Sequence, residues 1–206
     1  WMTQVGVLYR CDADGGNLRR ISFNGEHDNT PWVLPDGRIL VTEKPGRIFI
    51  VTQGGEKTEV RDVPKVLASG QNGLLDIAPA PDFASSSRIF FTYVEPGNGG
   101  RLVLSRATLS VSANGATLTD RTAIWRQAPA GGGGQPGGII AFDRQGSHLF
   151  LTVGDRMRPD SAQDPAQARG KVLRLNLDGS TPADNPHASE GGLRGQTWTT
   201  GHRNPY

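Results

Sequence analysis

Residues 140–143, Ile140-Ala141-Phe142-Asp143, pass through Arg144-Gln145-Gly146 into His148-Leu149-Phe150-Leu151-Thr152 and later into Gly170-Lys171-Val172-Leu173-Arg174-Leu175. Each run has strand length, carries β-branched or large apolar side chains, and is bounded by turn formers. The same order occurs twice upstream. Ile77-Ala78-Pro79-Ala80-Pro81-Asp82 leads to Arg88-Ile89-Phe90-Phe91-Thr92 and then Gly100-Arg101-Leu102-Val103-Leu104. Val33-Leu34-Pro35-Asp36-Gly37 leads to Arg38-Ile39-Leu40-Val41-Thr42 and then Pro45-Gly46-Arg47-Ile48-Phe49-Ile50. The theme is an apolar strand, an Asp-containing turn, a strand closing on apolar-apolar-Thr, and a Gly-led strand. The threonines fall at 42, 92 and 152, spaced by 50 and 60 residues. Repeats of ~40 to 50 residues with several strands each mark propeller blades. A lone blade leaves both faces bare, so it needs a neighbour on each side. The expected fold class is an all-β β-propeller, and at ~45 residues per blade the chain supplies an incomplete ring of roughly three to four blades.

Composition agrees with that reading. The 206 residues include 28 glycines and 14 prolines, and hydrophobic residues make up only 35 % and charged residues 20 %. Average usage would put glycine plus proline near ~12 %, so the excess lies in turn formers, which excludes a helical bundle or coiled coil. Disorder is excluded by a formal net charge of only +2 and by apolar residues gathered in compact runs. No stretch approaches the ~18 apolar residues of a membrane span. No basic run with interleaved aromatics is present, so nucleic acid is not a partner. A single cysteine, Cys11, rules out an internal disulfide framework and reads as a plain strand residue.

The chain opens Trp1-Met2-Thr3 without a basic then apolar leader. It closes on Gly201-His202-Arg203-Asn204-Pro205-Tyr206 with no sign of a domain winding down, which reads as part of a longer protein. Residues 1–30 fit the repeat differently: Val7 to Gly15 mirrors Val172 to Gly179 as an outer hairpin. Asp12, Asp14 and Gly15 lack the further early ligand and closing Glu of a calcium loop, so they form a turn.

Gly131-Gly132-Gly133-Gly134-Gln135-Pro136-Gly137-Gly138 is the most unusual stretch. It is no P-loop, because no Gly-Lys-Ser/Thr follows and the next element is a strand. Two readings stay open: a flexible connection at a blade edge, or a backbone surface that a flat ligand can approach closely.

Gly70-Gln71-Asn72-Gly73-Leu74-Leu75-Asp76 with Pro81-Asp82-Phe83 resembles the first signature of the soluble quinoprotein aldose sugar dehydrogenases, the glucose/sorbosone dehydrogenase family. Gly154-Asp155-Arg156, Gly170 to Asn176, Pro182-Ala183-Asp184-Asn185-Pro186 and Gly201-His202-Arg203-Asn204-Pro205 continue the series. The resemblance covers residues 31–206, a partial propeller truncated at its C-terminus. Residues 1–30 look like a hairpin of TolB-type propellers, which keeps a non-catalytic binding or scaffold propeller as the alternative function.

The resemblance implies a six-bladed propeller that binds pyrroloquinoline quinone (PQQ) on its axis with calcium. It implies oxidation of an aldose at C1 by hydride transfer to PQQ, a histidine base, an external electron acceptor, and a periplasmic or secreted location. Carried over, Gln71 matches a position contacting the quinone. Arg203 and Asn204 match the pair on the cofactor carboxylate and carbonyl, where a guanidinium fork suits an acidic ligand. Gln135 stands at the position of the histidine base and Ile139 at that of an arginine, while Asn72 replaces a glycine. No metal ligand is assigned in this chain. Glutamine cannot accept a proton, and losing a general base costs ~10² to 10⁴ in rate, so this chain is expected to be inactive. His148 is the substitute base to consider, and Asp155, Asp160 and Asp164 form an acidic loop after its strand.

Overall fold

The alternating run from His148 to Val153 forms a strand that turns Leu149, Leu151 and Val153 to one buried face, the period-two pattern of a pleated chain. The computed structural model describes residues 6–21 and 28–205, and three four-stranded antiparallel units built from such strands dominate it. The first comprises β3 (Asp28–Val33), β4 (Ile39–Glu43), β5 (Arg47–Val51) and β6 (Lys57–Arg61), after a short hairpin of β1 (Tyr9–Arg10) and β2 (Arg19–Arg20). The second comprises β7 (Leu74–Pro79), β8 (Arg88–Glu95), β9 (Arg101–Ser112) and β10 (Gly115–Arg126). β11 (Gly137–Phe142), β12 (His148–Val153), β13 (Lys171–Asn176) and β14 (Thr197–Thr200) make the third. Helix is confined to single turns such as α1 (Phe83–Ser86) and α2 (Gly192–Gln196).

These units are the blades that the repeat predicts, so the chain is part of a β-propeller, with three blades among the described residues. The first two join at their outer edges, where β6 and β10 run parallel and pair Val60 with Ala116. Between them lies a core of Leu40, Ile48 and Ile50 from one blade against Ile77, Phe91 and Val103 from the other. A second core packs Phe90, Leu102 and Leu104 against Leu149, Leu151 and Leu173 of the third blade. Each such side chain contributes roughly 1.5 to 3 kcal/mol when fully buried. Ile21 and Leu8, next to the β1–β2 hairpin, cover the other face of the first blade at Val41, Phe49 and Val51.

The repeated threonines fasten the blades together. Thr42 Oγ1 donates to Leu75 O at 3.1 Å, and Thr92 Oγ1 to Gly138 O at 2.6 Å, each on the inner strand of the next blade. Thr152 Oγ1 accepts the amides of Gly138 and Ile139 at 3.1 and 2.9 Å within its own blade. Cys11 lies just past β1 rather than in it, and is exposed.

Candidate functional site

Inner strands β7 and β11 begin, and β12 ends, at the same end of the blades. Four connections meet there: the approach to β7 with Gln71 and Asn72, the glycine run before β11, the turn Gly154 to Met157, and the segment after β14. They enclose an open cleft of about 720 Å³ lined by Gln71, Gly132, Gly133, Gly134, Gln135, Met157 and Arg203. Three of the four residues singled out from sequence therefore share one cleft.

Gln71 Oε1 accepts the amide of Gln135 at 2.6 Å, which ties the first connection to the second. Gly134 has to be glycine for this contact, because a Cβ there would lie 2.1 Å from Gln71 Oε1. Gln135 holds φ at +50°, a left-handed conformation that histidine also tolerates. With its amide oriented to satisfy both neighbours, Gln135 donates to Asp155 Oδ1 at 2.6 Å and accepts from Arg203 Nε at 2.9 Å. Asp155 is buried, takes the Met157 amide on Oδ1 at 2.9 Å, and donates its own amide to Arg203 O at 2.7 Å. Asn204 Oδ1 accepts from Gly137 N at 3.0 Å, so it secures the start of β11 behind the cleft.

Arg156 escaped the sequence analysis as an individual residue, although it closes the Gly154-Asp155-Arg156 signature. It is fully buried, donates Nη1 to Asn72 Oδ1 at 2.9 Å, and leaves Nε without a partner. Desolvation, helped by the nearby charge of Arg169, pulls its pKa down to about 10. Asn72 donates Nδ2 to Gly133 O at 3.0 Å. The glycine run is thus held by side chains, which favours the reading of a surface presented to a ligand over that of a loose connection.

Other candidates stay outside. His148 begins β12 and pairs with Asp143 Oδ2 at 2.8 Å. Six residues at roughly 3.3 Å each separate it from the cleft end, so it cannot act as a base there. Asp160 is exposed, and Asp164 caps the Ala166 amide at 2.9 Å, so the acidic loop does not converge with Asp155. His187 pairs with Glu190, and Ile139 hydrogen-bonds Thr152 through its amide on β11. His27 lies outside the described residues. Asp12 accepts from Asn17 at 2.5 Å and Asp14 from the Gly16 amide at 2.9 Å, the bonds of a closed turn.

A family model described as Glucose / Sorbosone dehydrogenase matches residues 28–206. This chain belongs to the glucose/sorbosone dehydrogenase family. It is 37 % identical over 181 residues to aldose sugar dehydrogenase YliI of Escherichia coli, covering 85 % of this chain and 48 % of that protein. It is 33 % identical over 210 residues to quinoprotein glucose dehydrogenase B of Acinetobacter calcoaceticus, covering 86 % of this chain and 43 % of that one. The solved PQQ-bound aldose sugar dehydrogenase of Streptomyces coelicolor superposes with a TM-score of 0.75 at 28 % identity, covering 90 % of this chain and 54 % of that chain. The chain thus spans about half the length of the relatives it matches. Its family contains PQQ-dependent aldose and glucose dehydrogenases.

PQQ is a flat quinone bearing carboxylates, and the residues present fit it. The cleft wall is glycine where side chains would intrude, and Arg203 offers an exposed guanidinium. Among the described residues no three His, Cys, Asp or Glu side chains come together to hold a metal ion. No helix in them is long and apolar enough to cross a membrane.

Proposed function

We propose that this chain supplies the cofactor- and sugar-facing part of a PQQ-dependent aldose dehydrogenase. Gln71 and Arg203 face the quinone, Asn204 supports them from behind by securing the start of β11, and Gln135 stands at the position from which a base would act. Bound there, PQQ would supply the hydride acceptor for the sugar C1. Everything else is orientation. Arg203 places a permanent positive charge at the cleft, which suits carboxylates and carbonyl oxygens on the ligand. Gln71 keeps the glycine run in place and presents its amide beside it. Gln135, anchored on Asp155, can donate to or accept from a sugar hydroxyl but cannot take its proton at pH 7. No proton acceptor is assigned in its place, and in this reading the chain is inactive toward sugar. Calcium is carried over with the resemblance, and no residue of this chain is assigned to it. An external electron acceptor and a periplasmic or secreted location are carried over with the family reading.

One observation carries the proposal: Gln71, Gln135 and Arg203, distant in sequence, meet on one glycine-walled cleft with Gln135 bridging Asp155 and Arg203. The test is a PQQ titration read by tryptophan fluorescence, followed by glucose oxidation with a dye acceptor. Wild-type chain should bind PQQ saturably, and Arg203→Ala should weaken binding by ~1.5 to 3 kcal/mol, the range for a hydrogen bond to a charged group. Wherever turnover is measurable, Gln135→His should raise kcat at least ~10²-fold with a much smaller change in KM, because a base acts in the transition state. Absence of saturable PQQ binding by the wild-type chain would overturn the proposal.

A further inference from the structure

Four successive carbonyls beside the cleft each accept from a buried side chain. Arg169 Nη2 donates to Ala130 O at 3.0 Å and to Gly131 O at 3.2 Å. Arg156 Nη2 donates to Gly132 O at 3.4 Å, and Asn72 Nδ2 to Gly133 O at 3.0 Å. The peptide bonds of this run are trans, and in a trans peptide the carbonyl and the following N–H point in opposite directions. Anchoring the carbonyls of 131, 132 and 133 on Arg169, Arg156 and Asn72 therefore turns the amides of Gly132, Gly133 and Gly134 away from those side chains, on a run of glycines that lines the cleft. None of the three donates to an acceptor among the described residues. The row is closed at both ends, since Gly131 N donates to Gly100 O at 2.7 Å and Gln135 N to Gln71 Oε1 at 2.6 Å. A run of convergent backbone amides is a concavity for an oxyanion.

The charge behind the loop points the same way. Arg156 is 0 % exposed and Arg169 3 %, and each leaves a buried Nε with no partner. Neither forms an ion pair with a carboxylate among the described residues. Arg156 lies directly beneath the amides, since a Cβ on Gly132 would come within 2.4 Å of Arg156 Cβ and 3.2 Å of its Nε. Lys171, also fully buried, spends its ammonium on three carbonyls, Ser161 O, Ala162 O and Arg169 O. Buried cations without anions are costly. An anion received on the loop amides would offset that cost. Asp155, the nearby carboxylate, is engaged by the Met157 amide and by Gln135.

We propose that Gly132, Gly133 and Gly134, backed by Arg156 and Arg169, form an oxyanion cradle for a carboxylate or phosphate on the molecule that occupies the cleft. This rests on the reading of the cleft as a sugar and cofactor site and narrows it. Either the sugar is an acidic one, or the quinone's own carboxylates dock there.

Calorimetric titration of the wild-type chain with glucuronate and with glucose tests it, at low and at high ionic strength. The expected result is glucuronate binding at least ~10-fold tighter than glucose, the gain from charge-assisted hydrogen bonds, with the preference shrinking as salt screens it. Gly133→Pro deletes one amide donor at a position whose added Cβ meets only the Met157 side chain, at 3.4 Å. It should reduce that preference severalfold; if this variant does not fold, the wild-type ratio and its salt dependence decide alone. PQQ displacing glucuronate assigns the cradle to the cofactor, and PQQ binding beside glucuronate assigns it to the sugar. Glucuronate preference without PQQ binding keeps the cradle and removes the proposed function. PQQ binding that is insensitive to Gly133→Pro, with glucuronate no better than glucose, overturns the cradle and leaves the proposed function standing. Binding of neither ligand removes both.

Discussion

Asp76 is 2 % exposed on β7, with Oδ1 accepting the Ile77 amide at 2.9 Å and Oδ2 the Ile140 amide of the next blade at 2.7 Å. Burial pushes its pKa above the ordinary 3.8, and the two amides and the Thr30 hydroxyl only partly resist. Between 3.8 and the raised value the folded state therefore holds more protons than the unfolded state. Stability from this group falls as pH rises through that window. Asp164, held low by the Ala166 amide, Asp178 by Ser180 and Asp184 by Arg174 act oppositely, losing their contribution only as pH drops below 3.8. Replacing Asp76 by Asn should strip one inter-blade amide of its acceptor and cost ~1 to 3 kcal/mol. It should also flatten the decline in urea midpoint just above pH 3.8. Parallel midpoint profiles for wild type and Asp76→Asn would contradict this account.

The outer strands did not announce themselves as sequence. β6 reads Lys57-Thr58-Glu59-Val60-Arg61 and β10 carries a run of exposed polar residues, because each buries only a few side chains, Val60, Ala116 and Leu118 among them, and leaves the rest to water, so apolar alternation is weak. Their pairing is a tertiary fact. The β1–β2 hairpin shows the opposite case, where turn residues were legible but the reason for stability was not. Strands of two residues cannot persist alone. This pair is held by Ile21 on the first blade and by Arg19 Nη2 on Gln53 O at 2.8 Å. Ile21→Ala should therefore detach the hairpin locally. Hydrogen exchange of the Ile21 amide, bonded to Leu8 O at 3.0 Å, should become fast while β4 and β5 stay protected. Slow exchange at Ile21 in that variant would show that the backbone turn, not the packing, holds it.

Across the whole molecule, each interior blade face is met by another sheet, but the far face of the third blade is not covered by any element among the described residues. Phe150 and Trp198 meet edge to face there at 5.8 Å, and Arg174 lies 5.4 Å from the Trp198 ring. Trp198 remains 42 % exposed. An exposed indole of this kind, flanked by a second ring, favours association. Sedimentation velocity across a concentration series should show reversible self-association, weakened by Trp198→Glu. A strictly monomeric chain at every concentration would count against an adhesive face.

The blade repeat, the all-β class and the family signatures were settled by sequence, because strand alternation, turn residues and glycine spacing are local properties of the chain. The threonines at 42, 92 and 152 were legible as a repeat, but their role as inter-blade ties was not, since their acceptors lie on another blade. Gln71, Gln135, Arg203 and Asn204 could be named from motifs, yet no spacing tells that the first three share one cleft while Asn204 faces β11. Nor could sequence distinguish a loose glycine loop from a held one. That distinction depends on Asn72, Arg156 and Arg169 arriving from separate segments beneath it, and such contacts exist only once the blades have stacked.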